Sequence, residues 1–245
     1  MSAEKFMDAG EEILRKIRAT QLPAIKEAAA LIADSIAHGG ALHYFDTGHC
    51  TGELLGRAGG LFAIHPLQVN INISHPKPPT HPEKEAKSWY DDQRVREFAL
   101  DQAHFQKGDV LLLGSVSGSK SYAVSLAMEI RERGVKVIAI TSPTYSKAIP
   151  SQDPSAGQFL YQVADVVIDN CGEVGDVLLD IPGLDTKACP SSGLAFVYIA
   201  WSLIAQVLSN LTERGIKPQV YKSINLPEGR EFNEKAKQAY ERAGI

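Results

Sequence analysis

One stretch of strand, hydroxyl-rich loop and helix constrains the fold of this chain more than any other. An apolar run at 109–114 leads into a loop that carries four serines within seven positions. An amphipathic segment with a helical period follows at 121–133, and a second apolar run follows at 135–140. Strands that are apolar throughout are typical of parallel sheets, because helices cover both faces of such sheets. These segments therefore predict an α/β fold.

The rest of the chain continues this alternation of strands and helices. Strands are predicted at 41–46, 67–73, 109–114, 135–140 and 164–169. Helices are predicted at 4–19 and 23–38, near 52–58, and at 91–105, 121–133, 191–211 and 230–242. We expect a three-layer sandwich in which helices flank a five-stranded parallel sheet of flavodoxin-like order 2-1-3-4-5. The whole chain, 1–245, is interpreted as one domain, with helices at 1–38 that pack on it or on a partner subunit and a C-terminal extension at 215–245.

Composition and charge exclude several classes of partner. The net charge of −4 and the pI of about 6.0 give no basic footprint for nucleic acid. The sequence shows neither a signal-peptide pattern nor an apolar run that approaches the length of a membrane span. Its three cysteines, Cys50, Cys171 and Cys189, follow no disulfide or metal pattern. We therefore expect a cytoplasmic protein that binds neither nucleic acid nor membrane.

The serine-rich loop after the third strand indicates an anion site. Unpaired N–H groups and the helix dipole favour an anion at a helix start, and serine hydroxyls add further donors. An ordinary helix cap explains one serine but not four. The predicted phosphate-binding residues of this loop are Ser115, Ser117, Gly118, Ser119 and Ser121.

The same loop also approaches the nucleotide-binding pattern G-x-x-x-x-G-K-[ST]. Gly114, Lys120 and Ser121 match this pattern. Ser119 stands in place of the second glycine, where a serine resists the backbone turn. A nucleotide hydrolase is therefore the less favoured interpretation.

The loop after the first strand, 46–53, carries candidate catalytic groups. Gly48 can let the chain pass close to a bound sugar, and His49 can protonate or orient a sugar oxygen or act as a structural donor. Glu53 is expected in the first turn of the next helix, either as a general base or as a complement to the helix dipole. A helix start would lower the pKa of Cys50, whereas a buried structural thiol is the alternative.

Two further sets of residues are ambiguous. Ser191 and Ser192 either cap the long helix or supply additional donors to the same ligand. His65, His75 and His81 do not match the spacing of a zinc site, and the prolines between them favour an extended loop. The sequence therefore predicts no metal and no cofactor.

Several motifs resemble the sugar isomerase (SIS) domain family of phosphosugar isomerases and phosphosugar-binding proteins. The first is the Ser115-x-Ser117-Gly118 loop with the strands on either side of it. The segments that resemble an SIS subfamily of similar length are Thr47-Gly-His-Cys, Arg57-Ala-Gly-Gly60, Asp169-Asn-Cys-Gly172 and Tyr221-Lys-Ser-Ile-Asn225. The resemblance implies a five-stranded parallel sheet in a dimer or tetramer with ligand sites near the subunit contacts.

The resemblance also implies roles for individual residues. Ser115 and Ser117 match serines that bind the sugar phosphate. The Glu53-Leu-Leu-Gly-Arg57 stretch resembles the segment that carries the base of phosphoheptose isomerases. Those enzymes also use a histidine on a late helix as the acid, and helix 191–211 has none, which leaves His49 as the substitute. We expect a homodimeric or homotetrameric protein that binds a phosphorylated sugar, as an aldose–ketose isomerase or as a sensor without catalysis.

Overall fold

A five-stranded parallel sheet forms the centre of the molecule. The computed structural model describes residues 2–50, 52–84, 92–151 and 157–245. The strands are β1 (Leu42–Asp46), β2 (Ile64–Pro66), β3 (Val110–Gly114), β4 (Lys136–Thr141) and β5 (Val166–Asp169). Their order is β2-β1-β3-β4-β5, and all neighbours are parallel, so the predicted fold class and strand order are confirmed.

Helices cover both faces of this sheet. They are α1 (Ser2–Thr20), α2 (Leu22–Ala37), α3 (Gln93–Gln102), α4 (Ser121–Glu132), α5 (Pro143–Ala148), α6 (Leu160–Val163), α7 (Ser192–Glu213) and α8 (Gly229–Ala243). The first position of the predicted helix 91–105 lies outside the described residues. Helices α5 and α6, and an antiparallel pair of short strands, β6 (Val177–Leu179) and β7 (Ala188–Pro190), were not expected from the sequence.

The two faces of the sheet belong to two separate cores. Alternate side chains of a strand point to opposite faces. Val110 and Leu112 of β3 join the cluster formed with α1, α2 and α7. Leu111 and Leu113 join the cluster formed with α4 and α6. All four are at most 2 % exposed, which explains why this strand is apolar at every position.

The second strand is not where the sequence placed it. The paired residues are Ile64–Pro66, and 67–73 contains no strand, although Leu67 N still donates to the Tyr44 carbonyl at 2.8 Å. β1 and β2 pair over three residues, after which the chain leaves the sheet. The proline-rich segment that follows has no N–H groups at its prolines to continue a ladder.

The prediction of a helix near 52–58 is wrong as well. The described part of this segment forms turns. Gly52 and Gly56 adopt left-handed conformations, with φ of +81° and +67°. Glycine reaches such conformations at little cost, and a right-handed helix cannot continue through them.

Helix α7 is a long apolar helix that packs with α1 and α2 on one face of the sheet. It is long and apolar enough to cross a membrane by length and composition, so the expectation that no apolar stretch reaches that length is wrong. Phe196, Ile199 and Leu203 are at most 1 % exposed, and the helix packs along α2. Burial in the protein core accounts for its apolar composition.

The segment before α8 returns to the loop that follows β1. Phe62 N donates to the Gln219 carbonyl, and Gly59 N donates to the Tyr221 carbonyl at 2.7 Å. The Tyr221 N–H donates back to the Gly60 carbonyl, which gives a short antiparallel pairing. The side chain of Asn233 on α8 makes two hydrogen bonds to the backbone of Lys222. Its oxygen accepts from the Lys222 N–H at 2.7 Å, and its amide nitrogen donates to the Lys222 carbonyl at 2.8 Å. Two motif segments that are far apart in the chain, 57–60 and 221–225, are therefore neighbours.

Candidate functional site

The serine loop between β3 and α4 lies at the carboxyl end of the sheet, where the strand order reverses. Ser117 and Ser121 are half-buried, whereas Ser115 and Ser119 each keep 2 % of their surface exposed. The hydroxyl oxygens of Ser117 and Ser119 are hydrogen-bonded at 3.0 Å. Helix α4 begins after Lys120, whose side chain makes no capping hydrogen bond. The loop therefore presents hydroxyl groups beside a helix N-terminus, an arrangement that favours a bound anion.

Neighbouring elements fix the backbone of this loop. The Thr141 hydroxyl donates to the Val116 carbonyl at 3.1 Å, and the Ser146 hydroxyl donates to the Ser117 carbonyl at 2.7 Å. Gly118 has a φ of +56°, and a Cβ at this position would lie 2.7 Å from Thr141 Oγ1. Only glycine satisfies both the conformation and the space.

Asp46, the last residue of β1, organises the loop that follows it. Its carboxylate accepts hydrogen bonds from the backbone N–H of His49, at 3.1 Å, and of Cys50. Gly48 has a φ of +118°, which lets the chain bend back over the carboxylate. Asp46 pairs in register with Gly114 of β3, and a Cβ on Gly114 would lie 3.0 Å from Asp46 Oδ1. The two candidate loops therefore start side by side.

The imidazole of His49 lies between this loop and the start of α7. His49 Nδ1 is 3.1 Å from the Ser192 hydroxyl, and its ring centroid is 5.3 Å from that of Phe196. Ser192 is 5 % exposed and Phe196 is 1 % exposed, so both residues that contact the imidazole are buried. His49 itself is half-buried and keeps part of its ring accessible.

Glu53 lies in a turn and forms an ion pair. Its Oε2 is 2.7 Å from Arg57 Nη1, and 28 % of its side chain is exposed. Burial raises the pKa of the neighbouring Cys50 thiol to about 11, and the carboxylates of Asp46 and Glu53 add to the shift. No helix starts at Cys50, so its thiol stays protonated and structural. Within the described residues, no hydrogen bond or ion pair joins Glu53 to the serine loop.

Asp176 occupies the start of α7, where Ser191 and Ser192 were expected to offer donors. One oxygen of its carboxylate accepts from the Ser191 hydroxyl at 3.0 Å and from the N–H of Ser191 and Ser192 at 3.2 and 2.9 Å. Ser191 is 0 % exposed. In this structure Ser191 is engaged by a carboxylate of the same chain, and the Ser192 hydroxyl faces His49.

The candidate histidines do not converge on one point. His65 Nε2 lies 2.5 Å from the Tyr240 hydroxyl, whereas His75 and His81 are exposed in the proline-rich segment. Over the described ranges, no group of three or more His, Cys, Asp or Glu side chains is placed to hold a metal ion.

Sequence reasoning missed three polar residues at this edge of the sheet: Asp46, Asn170 and Asp176. An Asp at a strand end before Thr-Gly was a usable signal for Asp46. The Asn170 amide nitrogen is buried without a hydrogen-bond partner among the described residues, although its oxygen accepts from Gly172 N at 3.0 Å. Asp176 reaches α7 because it adopts a φ of +59°, and nothing in the sequence marks that conformation.

The chain is similar to known proteins over almost its full length. The SIS domain profile matches residues 5–142. A UPF0309 protein of Caldanaerobacter subterraneus subsp. tengcongensis is 33 % identical over 237 residues, which cover 94 % of this chain and 93 % of that protein. A UPF0309 protein of Listeria monocytogenes is 32 % identical over 232 residues, covering 93 % of this chain and 92 % of that protein.

Solved structures show the same fold at low sequence identity. A phosphoheptose isomerase from Francisella tularensis has a TM-score of 0.53 at 13 % identity, over 84 % of this chain and 96 % of that one. A putative phosphosugar isomerase involved in capsule formation from Bacteroides fragilis has a TM-score of 0.53 at 17 % identity, over 86 % and 90 %. The profile match spans more than half of the chain and includes β1, β3 and the serine loop between β3 and α4. The protein therefore belongs to the SIS domain family.

Proposed function

We propose that this protein binds a phosphorylated sugar at the carboxyl edge of its sheet and interconverts its aldose and ketose forms. Membership of the SIS domain family supports a sugar-phosphate ligand. Two proteins that share the fold carry the names phosphoheptose isomerase and putative phosphosugar isomerase. The reaction needs a site for the phosphate, a base that takes a proton from the carbon beside the sugar carbonyl, and an acid that protonates the carbonyl oxygen.

The hydrogen-bonded hydroxyls of Ser117 and Ser119, beside the N-terminus of α4, are the observation that carries this proposal. A phosphate accepts hydrogen bonds through several oxygens, so both hydroxyls can donate to it in place of the single hydrogen bond that now joins them. The positive end of the helix dipole adds attraction for the charge. Ser115, Ser121 and Gly118 complete the proposed phosphate loop.

Glu53 is the proposed base, and His49 is the proposed acid. The Glu53 carboxylate removes a proton from the hydroxyl-bearing carbon beside the carbonyl while His49 gives a proton to the carbonyl oxygen, which forms an enediol. His49 then takes the proton of the other enediol hydroxyl, which becomes the new carbonyl. Return of the proton to the adjacent carbon gives the isomer, with no redox change. Arg57 Nη1 lies 2.7 Å from Glu53 Oε2, and this contact orients the carboxylate.

A sensor that binds the same ligand without converting it is the second candidate. Helix α7 contains no histidine to serve as a late-helix acid. The guanidinium of Arg57 also competes for the lone pairs that Glu53 would use as a base. Both observations favour binding without turnover.

A ligand panel separates these candidates. Wild-type protein is incubated with aldose and ketose phosphates of five, six and seven carbons, and binding and product are measured in parallel. We expect at least one sugar phosphate to bind and so raise the Tm of the protein, and we expect the protein to convert that sugar. The Ser117→Ala/Ser119→Ala double variant should lose both the rise in Tm and the conversion. Ser125→Ala on the same helix is the matched control, and ATP with magnesium is the control ligand. Binding without conversion supports the sensor, and no response to any sugar phosphate overturns both.

The proposal extends to assembly and location. The protein acts as a cytoplasmic homodimer or homotetramer, without a metal or cofactor, with the ligand near the subunit contact. Three free cysteines agree with a reducing compartment. Sedimentation analysis with and without ligand tests the assembly, and a monomer under both conditions contradicts it.

A further inference from the structure

A second concave surface lies away from the serine loop, along the β1–β2 edge of the sheet. This edge groove has a volume of about 600 Å³. The extended segment 66–71 forms one wall, and the end of α3 together with 103–105 forms the other. His43 and His65 lie between the walls and form its floor. None of its lining residues belongs to the loops of the candidate site at 46–53 and 114–121.

The floor of the edge groove is polar and fixed in position. His43 is 8 % exposed, and its Nε2 lies 2.8 Å from Asp109 Oδ2. The Asp109 carboxylate also accepts the N–H of Ala41 at 2.9 Å and of Gln106 at 2.8 Å. A carboxylate only accepts hydrogen bonds, so Nε2 of His43 donates to Asp109, and this contact fixes the orientation of the imidazole ring.

The second floor residue is held from the other side. His65 Nε2 lies 2.5 Å from the hydroxyl of Tyr240 on α8. Burial lowers the pKa of His65, and the nearby His43 lowers it further, so the ring is neutral near pH 7. The floor therefore offers two imidazoles whose orientations are set by hydrogen bonds before any ligand arrives.

The walls are aromatic and aliphatic, and the rim carries amides. Phe98 is 65 % exposed beside the groove, and Ile71 on the opposite wall is 51 % exposed. Phe105 packs on His43 with ring centroids 4.3 Å apart. Gln102 and other amide side chains line the same space. Of the described residues that form the groove, none is Asp, Glu, Lys or Arg.

We propose that the edge groove binds an uncharged planar heteroaromatic compound of the nucleobase or nucleoside class. A pocket of this size is typical of small-molecule sites, which combine apolar walls with a few fixed polar groups. The exposed Phe98 ring can stack on a base, and glutamine and asparagine amides match the hydrogen-bonding edges of bases. A lining whose described residues include no Asp, Glu, Lys or Arg matches a ligand without charge, and it offers a phosphate no lysine or arginine to pair with.

Titration with nucleosides tests this assignment. The probes are adenosine, guanosine, cytidine and uridine, each followed by calorimetry and by ligand-observed NMR on the full chain. We expect saturable binding of at least one nucleoside, and no tighter binding of its 5′-monophosphate. Phe98→Ala removes one stacking contact and should weaken binding by about tenfold.

Matched variants make the result specific to the groove. Phe232→Ala removes a 44 % exposed phenylalanine of α8 and should leave nucleoside affinity unchanged. Gln102→Ala on the exposed side of α3 provides a second groove variant, which should also weaken binding. Absence of saturable binding for all four nucleosides at several millimolar overturns the proposal. Affinity that survives both groove variants overturns it as well. Neither result bears on the serine loop, because sugar-phosphate binding is measured separately.

Discussion

His49 Nδ1 and the Ser192 hydroxyl lie 3.1 Å apart, although 143 positions separate them in the chain. This contact joins the loop after β1 to the start of α7. Ser192→Ala removes a largely buried hydrogen bond and should lower the free energy of unfolding by about 1 kcal/mol. Urea denaturation measures the loss. Ser209→Ala, which removes an exposed hydrogen bond to Glu213 on the same helix, is the control and should change stability by less than about 0.5 kcal/mol. Equal losses in the two variants would contradict a structural role for the His49 contact.

Removal of the charge of Glu53 tests the proposed reaction. Glu53→Gln should lower kcat for the active sugar phosphate by about 10²- to 10⁴-fold, because a carboxamide cannot take the proton. Ligand affinity should change little, since the serine loop stays intact. Glu231→Gln disrupts a comparable ion pair four residues apart on the surface of α8, and its activity should equal that of the wild type. Unchanged turnover in Glu53→Gln removes this residue from the mechanism.

The shape of the serine loop between β3 and α4 depends on Gly118. Gly118→Ala places a Cβ 2.7 Å from Thr141 Oγ1 at a φ of +56°, so both strain and overlap oppose it. We expect a loss of about 2 kcal/mol or more in the free energy of unfolding and weaker sugar-phosphate binding.

Gly183→Ala separates these two effects. Gly183 has a φ of +90°, and a Cβ there would meet nothing within 4 Å, so this variant carries backbone strain alone. Its destabilisation should be smaller than that of Gly118→Ala, and sugar-phosphate binding should not change. The difference between the two losses in free energy of unfolding measures the contribution of the overlap with Thr141.

Asp165 should make the stability of the protein depend on pH in the acidic range. Burial opposes its ionisation, but hydrogen bonds from Val137 N, Lys136 and Arg131 outweigh burial and lower its pKa. A carboxyl group with a lowered pKa in the folded state stabilises the fold above its unfolded pKa of about 3.9. That stabilisation disappears as the pH falls through the lower folded-state value.

The Asp165→Asn variant should therefore lose about 1–3 kcal/mol at pH 7. The difference in free energy of unfolding between variant and wild type should narrow below about pH 4, because the unfolded wild type becomes protonated there first and the folded wild type follows at lower pH. Urea denaturation at a series of pH values measures the free energy of unfolding of both proteins. Asp185→Asn, at an exposed position, is the control. A gap that stays constant with pH would falsify the assignment.

Strands β3 and β4 and the serine loop between β3 and α4 could be predicted because their signals are local. An apolar run such as 110–113 indicates burial on both faces without reference to the rest of the chain. The errors at 52–58 and 67–73 have a different origin. Left-handed glycines end the first segment, and the second keeps its alternating pattern after the chain has left the sheet. The periodicity of side chains reports neither backbone handedness nor the presence of a pairing partner.

The arrangement of the candidate site was less predictable than the fold. Asp176 contacts the start of α7 from a left-handed conformation of its own, directly before β6. His49 contacts Ser192 only when the sheet and α7 are packed together. These contacts depend on tertiary geometry, which no spacing in the sequence encodes. The assigned roles of Glu53 and the serines stay predictions until ligand binding is measured.

The pairing of 59–62 with 219–221 has a consequence for how the protein acquires its native state during synthesis. A nascent chain that has not yet extended past residue 218 contains all five strands of the parallel sheet, but it lacks the neighbour of residues 59–62. Loops closed over such a long distance form late, since the entropic cost of the closure precedes any gain. We therefore expect the sheet to assemble before this pairing forms, because the pairing requires the arrival of a distant segment.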